Sequence, residues 1–475
     1  MKNNLLYIGF FLSVCWQFGM GQASPVEYRS ITINDYLSLV DNYHPLAQKA
    51  DLLLDLATAN NRFSRGGFDP KIEGGVDRKS FDGKNYFTMV GGAVKIPTWF
   101  GIEIKADYNR STGEFLNPSD ILPSRGLWSA GISVPLGKGL VIDERRTALK
   151  KAEIFESQTE QERIIAYNTL MLESMTAYFQ WQADYDVVEI AREGVTLAKQ
   201  RFEATKKSFE QGDKPAIDTL ESYINWQTRE NQLLEARIAL ENSQQKLENY
   251  LWLEGNIPLE LTEETRPEPL DINYLTNSRD SLALIKNDII ERHPEIIGYD
   301  LKIDQLQIDR RLMREDLKPD LRINYNPLIS TSQDDLFLPP EIANYKLGAT
   351  FRYTILQRKE RGKLQMNNIK IQEAQLDLEF KKQQINNALD QLLENERIFA
   401  EQIRNMDRIV QDNFRLLQGE LRKNEFGESS IFLINTRENK YLESQIKQIQ
   451  LINKNLKNRL YFIYYTGQIN RVLRV

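Results

Sequence analysis

Sustained helical periodicity dominates the chain. From about Asp143 to Gln211, apolar residues recur every three or four positions, which predicts one long amphipathic helix. The recurring residues are Ile154, Ile164, Ile165, Leu172, Met175, Phe179, Val187, Val188, Val195 and Leu197. At the usual helical rise, this stretch would form a rod roughly 100 Å long. Gly194 is the only residue in it that commonly breaks a helix. A second, somewhat shorter long helix is predicted from about Arg361 to Lys423.

Segments of alternating apolar and polar residues lie between the helices. GIEIKADY, LWSAGISV and YKLGATFRY each alternate with a period of two, which predicts strands with one apolar face. The strands fall at about 70–136 and 320–354, and an additional hairpin with a turn near Pro97 brings their number to about six. The pattern fits a sandwich face, and equally a membrane barrel with lipid outside and water inside. Because six strands cannot close a wide barrel, a membrane barrel would need several chains.

Six aromatic residues lie in or near these segments. They are candidates for a belt at a membrane interface, with ordinary packing as the alternative. The residues are Trp99, Phe100, Trp128, Phe337, Tyr345 and Tyr353.

The sequence contains a two-fold internal repeat. The pairs His44-Pro45 and His293-Pro294 each precede a helical stretch, an X-Pro helix end and alternating residues. QQKLENYLWLEG closes the first repeat at Gly255, and KNLKNRLYFIYYTG closes the second at Gly467. We therefore expect a first repeat over 24–255, a linker over 256–281, a second repeat over 282–467 and a tail over 468–475. The two histidines are interpreted as helix starts rather than as metal ligands.

Helix lengths balance within each repeat. Helices at about 31–62 and 215–253 would stack end to end beside the first long helix, and helices at about 282–317 and 429–465 would do the same in the second repeat. In each repeat, one continuous long helix would therefore lie beside a rod made of two shorter helices stacked end to end. The predicted fold class is mainly α with a small β part, a two-fold internal repeat and long antiparallel helices.

The N-terminus predicts export. Lys2 is the only charge in the first 26 residues, and the apolar run LLYIGFFLSV follows it, which is typical of a signal peptide. Cleavage after Ala23 would define residues 1–23 as that signal; a lipoprotein signal ending at Cys15 is the alternative. Without Cys15 the mature chain has no thiol. The chain is 41% apolar and 27% charged with a net charge of −6, and the absence of a basic patch argues against nucleic acid.

No enzymatic motif is present. The sequence lacks GxSxG, HExxH, CxxC and EF-hand patterns, and SVPLGKG departs from a phosphate-binding loop in spacing and in its last residue. We predict no catalytic, cofactor-binding or metal-binding residues and no cofactor.

Two helix–helix turns are the best candidates for a functional site. QGDKPAID contains Gly212, Asp213, Pro215 and Asp218, and NEFGESSI contains Gly427 and Ser430. The glycines suit the left-handed position after a helix, and Pro215 suits a helix start. On this ground alone, the turns do no more than end one helix and begin the next.

The chain resembles the TolC-type outer-membrane efflux family over nearly its whole mature length. The resemblance depends on the repeat, on the paired His-Pro starts, and on the segments SVPLGKGLVIDERRTALKKAE, TILQRKERGKLQMNNIKIQEAQ, FEQGDKPAIDTLES and FGESSIFLINTREN. It implies a trimer in which the helices form an α-helical barrel in the periplasm and the strands form a shared transmembrane β-barrel in the outer membrane. The linker would belong to the equatorial region of that tube.

The same resemblance implies a function. The protein would be the passive exit duct of a tripartite efflux or export system, in contact with outer-membrane lipid, a periplasmic adaptor and an inner-membrane pump. The two turns would form the periplasmic mouth. Asp218 lies where the family often carries a gate aspartate, whereas the second turn offers Leu433 or Ser430 there, depending on the alignment. One alternative is a soluble periplasmic coiled-coil scaffold or adaptor-like protein without a pore. Another is a secreted glycan-active enzyme, for which the sequence offers no supporting carboxylate pair.

Overall fold

Very long helices form the body of the molecule. The computed structural model describes residues 30–262, 264–269, 275, 286–330, 344–467 and 469. Its eight described α-helices are α1 Ile33–Tyr43, α2 Pro45–Arg65, α3 Glu144–Glu210, α4 Ala216–Glu248, α5 Lys286–Glu291, α6 Pro294–Glu315, α7 Arg358–Glu425 and α8 Ile431–Tyr465. Three predicted features lie outside the described residues. They are the signal peptide with Cys15 and Ala23, the aromatic residue Phe337, and the C-terminal tail apart from residue 469.

The first long helix agrees with the prediction to within one residue at each end. Its N-cap is Asp143, whose carboxylate accepts a hydrogen bond from the Arg146 backbone N–H, and it continues for 67 residues. The second long helix has 68 residues. The expectation that it would be the shorter of the two was wrong, because it begins directly after Gln357, which has a left-handed backbone (φ 48°) and provides no side-chain cap that sequence reasoning could recognise.

A continuous helix packs beside a broken one in each half. Helix α3 contacts α2 and α6 along the half nearer the strands, and α4 and α8 along the half nearer the turns. Helix α7 contacts α6 and α8 in the same way. The rods therefore lie in the order α2/α4, α3, α6/α8, α7. The predicted single helix over 31–62 is broken at His44, which ends α1 and caps α2.

Both histidines cap helices, as the structural interpretation predicted. The His44 Nδ1 accepts a hydrogen bond from the Leu46 backbone N–H at 3.1 Å, and the His293 Nδ1 accepts one from the Glu295 N–H at 3.2 Å. Pro45 and Pro294 follow at the first helical position. Within the described residues, no group of three or more His, Cys, Asp or Glu side chains is arranged to hold a metal ion.

The main hydrophobic core lies where the broken rods change from one helix to the next. Met175 and Tyr178 of α3 are fully buried there together with Tyr36 of α1 and Leu247 of α4. The Tyr36 hydroxyl donates to the Ser174 carbonyl at 3.1 Å, which fixes α1 against α3. A second core joins α6 to α7 around Ile303 and Ile385. Among the helices that the structure describes, none is long and apolar enough to cross a membrane.

One six-stranded antiparallel sheet lies between the helices of the two repeats. Its strands are β2 Lys71–Phe81, β3 Lys84–Pro97, β4 Glu103–Thr112, β5 Leu127–Pro135, β9 Asp320–Ser330 and β10 Tyr345–Arg352, in the spatial order β10-β9-β5-β4-β3-β2. Four two-residue strands make two small sheets elsewhere: β1 Ser30–Ile31, β6 Trp252–Leu253, β7 Ile257–Pro258 and β8 Arg266–Pro267. The additional hairpin is confirmed, because β3 ends at Pro97 and pairs with β4.

Candidate functional site

The turn between α3 and α4 contains the first group of candidate residues. Gly212 has a left-handed backbone (φ 83°), so the predicted glycine conformation is present. Its N–H donates to the Phe209 carbonyl at 2.9 Å, and the Asp213 N–H donates to the Ser208 carbonyl at 2.9 Å. This pair of bonds is a Schellman motif, which satisfies the last carbonyls of α3.

The chain re-enters a helix two residues later. Pro215 is the N-cap of α4 and lies one position before the first helical residue, where a helix start had been predicted. Asp218 occupies the third position of α4, is half-buried, and belongs to the first turn, where its charge suits the helix dipole. Burial raises the pKa of the neighbouring Glu221 carboxyl, and the charge of Asp218 adds to the increase.

The turn between α7 and α8 repeats this geometry. Gly427 has φ 75°, its N–H donates to the Asn424 carbonyl at 3.0 Å, and the Glu428 N–H donates to the Lys423 carbonyl at 2.9 Å. Ser430 is the N-cap of α8, and its hydroxyl accepts a hydrogen bond from the Leu433 N–H at 3.3 Å. The two turns are therefore the same motif built from different side chains.

The caps settle which residues of the two turns correspond. Pro215 and Ser430 are both N-caps and both lie three residues after the left-handed glycine. Asp218 therefore corresponds to Leu433, which is 40% exposed, and Ser430 corresponds to Pro215. The second turn carries an apolar side chain where the first carries an acid.

Exposed apolar side chains surround both turns. Near the second turn, Phe426 is 80% exposed and Phe432 is 61% exposed. Near the first, an apolar groove of about 410 Å³ lies between α3 and α4. Its lining residues are Phe202, Phe209, Ala216, Thr219, Leu220 and Tyr223. This end of the molecule thus offers apolar surface beside the charged and polar side chains of the turns.

Behind the turns, a buried polar network joins the two helical hairpins, of which the first is α3–α4 and the second is α7–α8. Arg201 of α3 forms an ion pair with Glu438 of α8 and donates to the Asn435 side-chain oxygen at 3.0 Å. Arg229 of α4 donates to the Asn439 side chain. Burial lowers the pKa of the Arg229 guanidinium, and its neighbour Glu438 opposes that decrease. Sequence reasoning missed this network, since charges at these positions look like those of any solvated helix face.

Gly194 lies next to this network, at a close contact between the hairpins. A Cβ at Gly194 would be 3.1 Å from the Leu442 side chain on α8, so the Leu442 side chain would have to shift to admit a larger residue. The glycine in the middle of α3 is thereby explained as a site of close approach rather than as a helix break.

At the other end of the molecule, the sheet has two chemically distinct faces. Residues directly opposite in neighbouring strands share a face, and Ile104 is opposite both Ile96 and Ile132, which is in turn opposite Tyr325. This face is apolar and exposed: Ile104 is 43% exposed and Phe351, on the same face of β10, is 68% exposed.

The second face of the sheet is polar, and its middle strands are more enclosed. Lys105 lies between Lys95 and Gly131, and the neighbouring Ser129 and Ser133 are 7% and 2% exposed. Lys95 forms an ion pair with Glu73 at 2.6 Å across the strands of this face. The alternation predicted for Ile104 and Lys105 is therefore present in the sheet.

Comparison with known proteins finds one matching family model and several matching solved structures. The family model described as outer membrane efflux protein matches residues 102–251. No curated protein matches the chain. The matched family is one of channels and not of enzymes, in agreement with the prediction that this chain performs no catalysis.

The solved structures that match cover nearly the whole chain. The CmeC outer membrane channel of Campylobacter jejuni has a TM-score of 0.64 at 14% identity, with 99% of this chain and 98% of that one covered. The outer membrane protein VceC of Vibrio cholerae has a TM-score of 0.63 at 13% identity, covering 91% and 95%. The open state of the MtrE outer membrane channel of Neisseria gonorrhoeae has a TM-score of 0.62 at 11% identity, covering 91% and 88%. The family resemblance and the fold class expected from the sequence are confirmed.

Proposed function

We propose that this chain is a member of the outer-membrane efflux protein family and acts as a passive exit duct, which lies in the outer membrane and extends into the periplasm. Three copies would form the duct, and substrates would be delivered by an inner-membrane pump through a periplasmic adaptor. The observation that carries this proposal is the six-stranded sheet with one exposed apolar face and one polar face. That division suits lipid on one side and water on the other.

The edges of the sheet support assembly from several copies. Strands β2 and β10 are the two outermost strands, and every residue of β2 is exposed. Among the strands that the structure describes, none pairs with the outer backbone groups of β2 or β10. Because a bilayer offers no water to satisfy such groups, an open edge is not stable in lipid. Pairing of β2 in one copy with β10 in the next would close the sheet, and three copies would contribute eighteen strands.

The outer rods of the helical body support the same assembly. Leu52 and Phe63 of α2 are 61% and 83% exposed at one side of the row of rods. Leu376 and Phe380 of α7 are 71% and 70% exposed at the other side. Large apolar side chains at both ends of the row suit contact between copies, and three copies would place twelve rods around a lumen.

The two turns would then form the periplasmic mouth. Asp213, Asp218 and Ser430 would contribute polar side chains, with Gly212, Pro215 and Gly427 fixing the backbone. Exposed Phe426 and Phe432 would offer apolar contacts to an adaptor. Since Leu433 occupies the place of Asp218 in the second turn, a threefold mouth would carry three acids at that level rather than six.

Two measurements test the proposal. Cell fractionation should find the protein in the outer membrane as a trimer that resists detergent until heated, and the purified trimer should conduct ions in planar bilayers. Release of untreated protein into the soluble periplasm, without conductance, would instead identify a coiled-coil scaffold without a pore.

A further inference from the structure

The exposed apolar face of the sheet carries charge at one end only. Within the described residues, the side chains on this face are uncharged from β2 to β10, except at Arg78 of β2 and Arg110 of β4. Both arginines are exposed. In the part of the chain that the structure describes, neither guanidinium takes part in an ion pair.

The two arginines belong to one patch. Arg78 is opposite Thr88, which is opposite Thr112, so these three residues form one row across β2, β3 and β4. Arg110 lies in the next row, opposite Val90. Because neighbouring strands are about 4.8 Å apart, β2 and β4 are separated by roughly 10 Å. Two guanidinium groups and the Thr112 hydroxyl thus lie within reach of one headgroup, whereas the Thr88 hydroxyl donates to the Asn85 side-chain oxygen at 3.3 Å.

Aromatic residues mark the boundary below the patch. Tyr108, one outward position before Arg110 along β4, packs against Trp128 with ring centroids 4.9 Å apart. The Tyr108 hydroxyl donates to the Arg125 carbonyl at 2.7 Å. Trp99 and Phe100 lie in the turn between β3 and β4, at the end of the strands nearest the helices. An apolar band between two aromatic levels is the arrangement of membrane strands.

We propose that Arg78 and Arg110, with the hydroxyl of Thr112, bind the phosphate group of a lipid in the outer leaflet. The inference rests on the proposed function, because it assumes that the strand ends farthest from the helices lie at the outer surface of the outer membrane. Arginine holds phosphate through two parallel N–H bonds, which makes it better suited to this ligand than lysine. The absence of a carboxylate on this face of the described sheet leaves both guanidinium groups free for an anionic headgroup.

Lipid retention by the purified trimer tests the proposal. The trimer in mild detergent is incubated with bis-phosphorylated lipid A or with its dephosphorylated form, and bound lipid is counted by native mass spectrometry. The wild-type chain should retain the phosphorylated lipid preferentially. In the double variant Arg78→Gln/Arg110→Gln, the apparent affinity for it should fall roughly tenfold or more, because the charge-assisted bonds are lost.

A matched control removes the same charge from the other face. Lys79 of β2 and Lys346 of β10 lie on the polar face. The double variant Lys79→Gln/Lys346→Gln should retain the phosphorylated lipid as the wild-type chain does. If Arg78→Gln/Arg110→Gln fails to assemble, Arg78→Lys/Arg110→Lys serves in its place. The lysine variant keeps the charge but loses the planar guanidinium, so its phosphate-dependent retention should be reduced. Equal retention of both lipids by the wild-type chain, or equal retention by the wild-type chain and the arginine variants, would overturn the proposal.

Conductance separates this inference from the proposed function. The arginine variants should conduct in planar bilayers as the wild-type trimer does, since both side chains lie on the outer face. Normal conductance with unchanged lipid retention would reject the lipid site alone. A wild-type chain that neither inserts nor conducts would reject the channel and the lipid site together.

Discussion

Arg201 and Glu438 form a buried ion pair that ties the first helical hairpin to the second. The Glu438 side chain is 2% exposed and the Arg201 side chain is 14% exposed, so both charges are largely removed from water. The second Glu438 carboxylate oxygen has no hydrogen-bond partner among the described residues. Such a pair costs free energy to bury, and its geometry restricts how α3 and α8 can lie against each other.

Removal of one partner should therefore be strongly destabilising. Glu438→Gln leaves the Arg201 charge buried without its counter-charge, and we expect the free energy of unfolding to fall by roughly 3–5 kcal/mol. Asp412→Asn is the matched control, because it breaks the exposed Arg415–Asp412 pair and should cost about 0–1 kcal/mol. Urea-induced unfolding followed by circular dichroism measures both. Equal stability of the two variants would mean that Arg201 and Glu438 contribute no more than a surface pair.

Proline in the middle of α3 should prevent assembly. Met175 is fully buried in the main core and lies in the interior of the 67-residue helix. Met175→Pro removes a backbone hydrogen bond and clashes with the preceding turn, at a cost of roughly 3 kcal/mol or more. The yield of heat-modifiable trimer on gel electrophoresis measures the effect, and Met175→Leu is the control that keeps the helix. Normal trimer yield from the proline variant would contradict a continuous α3.

An arginine on the apolar face of the sheet should impair insertion. Ile104→Arg places a charge in the middle strands of the exposed apolar face, and a charge facing lipid near the midplane costs roughly 2–4 kcal/mol. Lys105→Ala changes the next residue, on the polar face, and should be mild. Folding into lipid vesicles, followed by heat modifiability, compares the two. Equal insertion would show that the apolar face does not contact lipid.

The long helices and the strand faces could be predicted because their signals repeat over many residues. Asp143 and Gly212 bracket α3, and the alternation around Ile104 fixes which side chains share a face. The Arg201–Glu438 pair could not be predicted, because its partners are 237 residues apart and their contact depends on how α3 and α8 align. The correspondence of Asp218 with Leu433 likewise needed the cap positions, since two alignments of the turns fit the sequence.

The histidine caps predict a loss of stability in mild acid. Burial lowers the pKa of His44 and of His293 in the folded protein below the unfolded value of about 6.5. The unfolded chain therefore binds protons first as the pH falls below about 6.5, and the folded state loses stability down to the lowered pKa. His44→Asn/His293→Asn keeps a side-chain acceptor at each N-cap and should flatten this dependence. Thermal unfolding midpoints between about pH 7.5 and 5 measure it, and an unchanged slope would exclude the histidines as its source.

Asp218 gives the test of the mouth. In a threefold duct, three Asp218 carboxylates would form an acidic ring near the opening, and such rings favour cations. Asp218→Asn should then lower cation selectivity and block by divalent ions in planar bilayers, with little change in trimer stability. Asp412→Asn removes the same charge at an exposed position of α7, away from both turns, and is the control for net charge. If selectivity and conductance stay constant while the thermal midpoint falls slightly, Asp218 serves only the first turn of α4, where its charge is worth about 0.3–1 kcal/mol through the helix dipole.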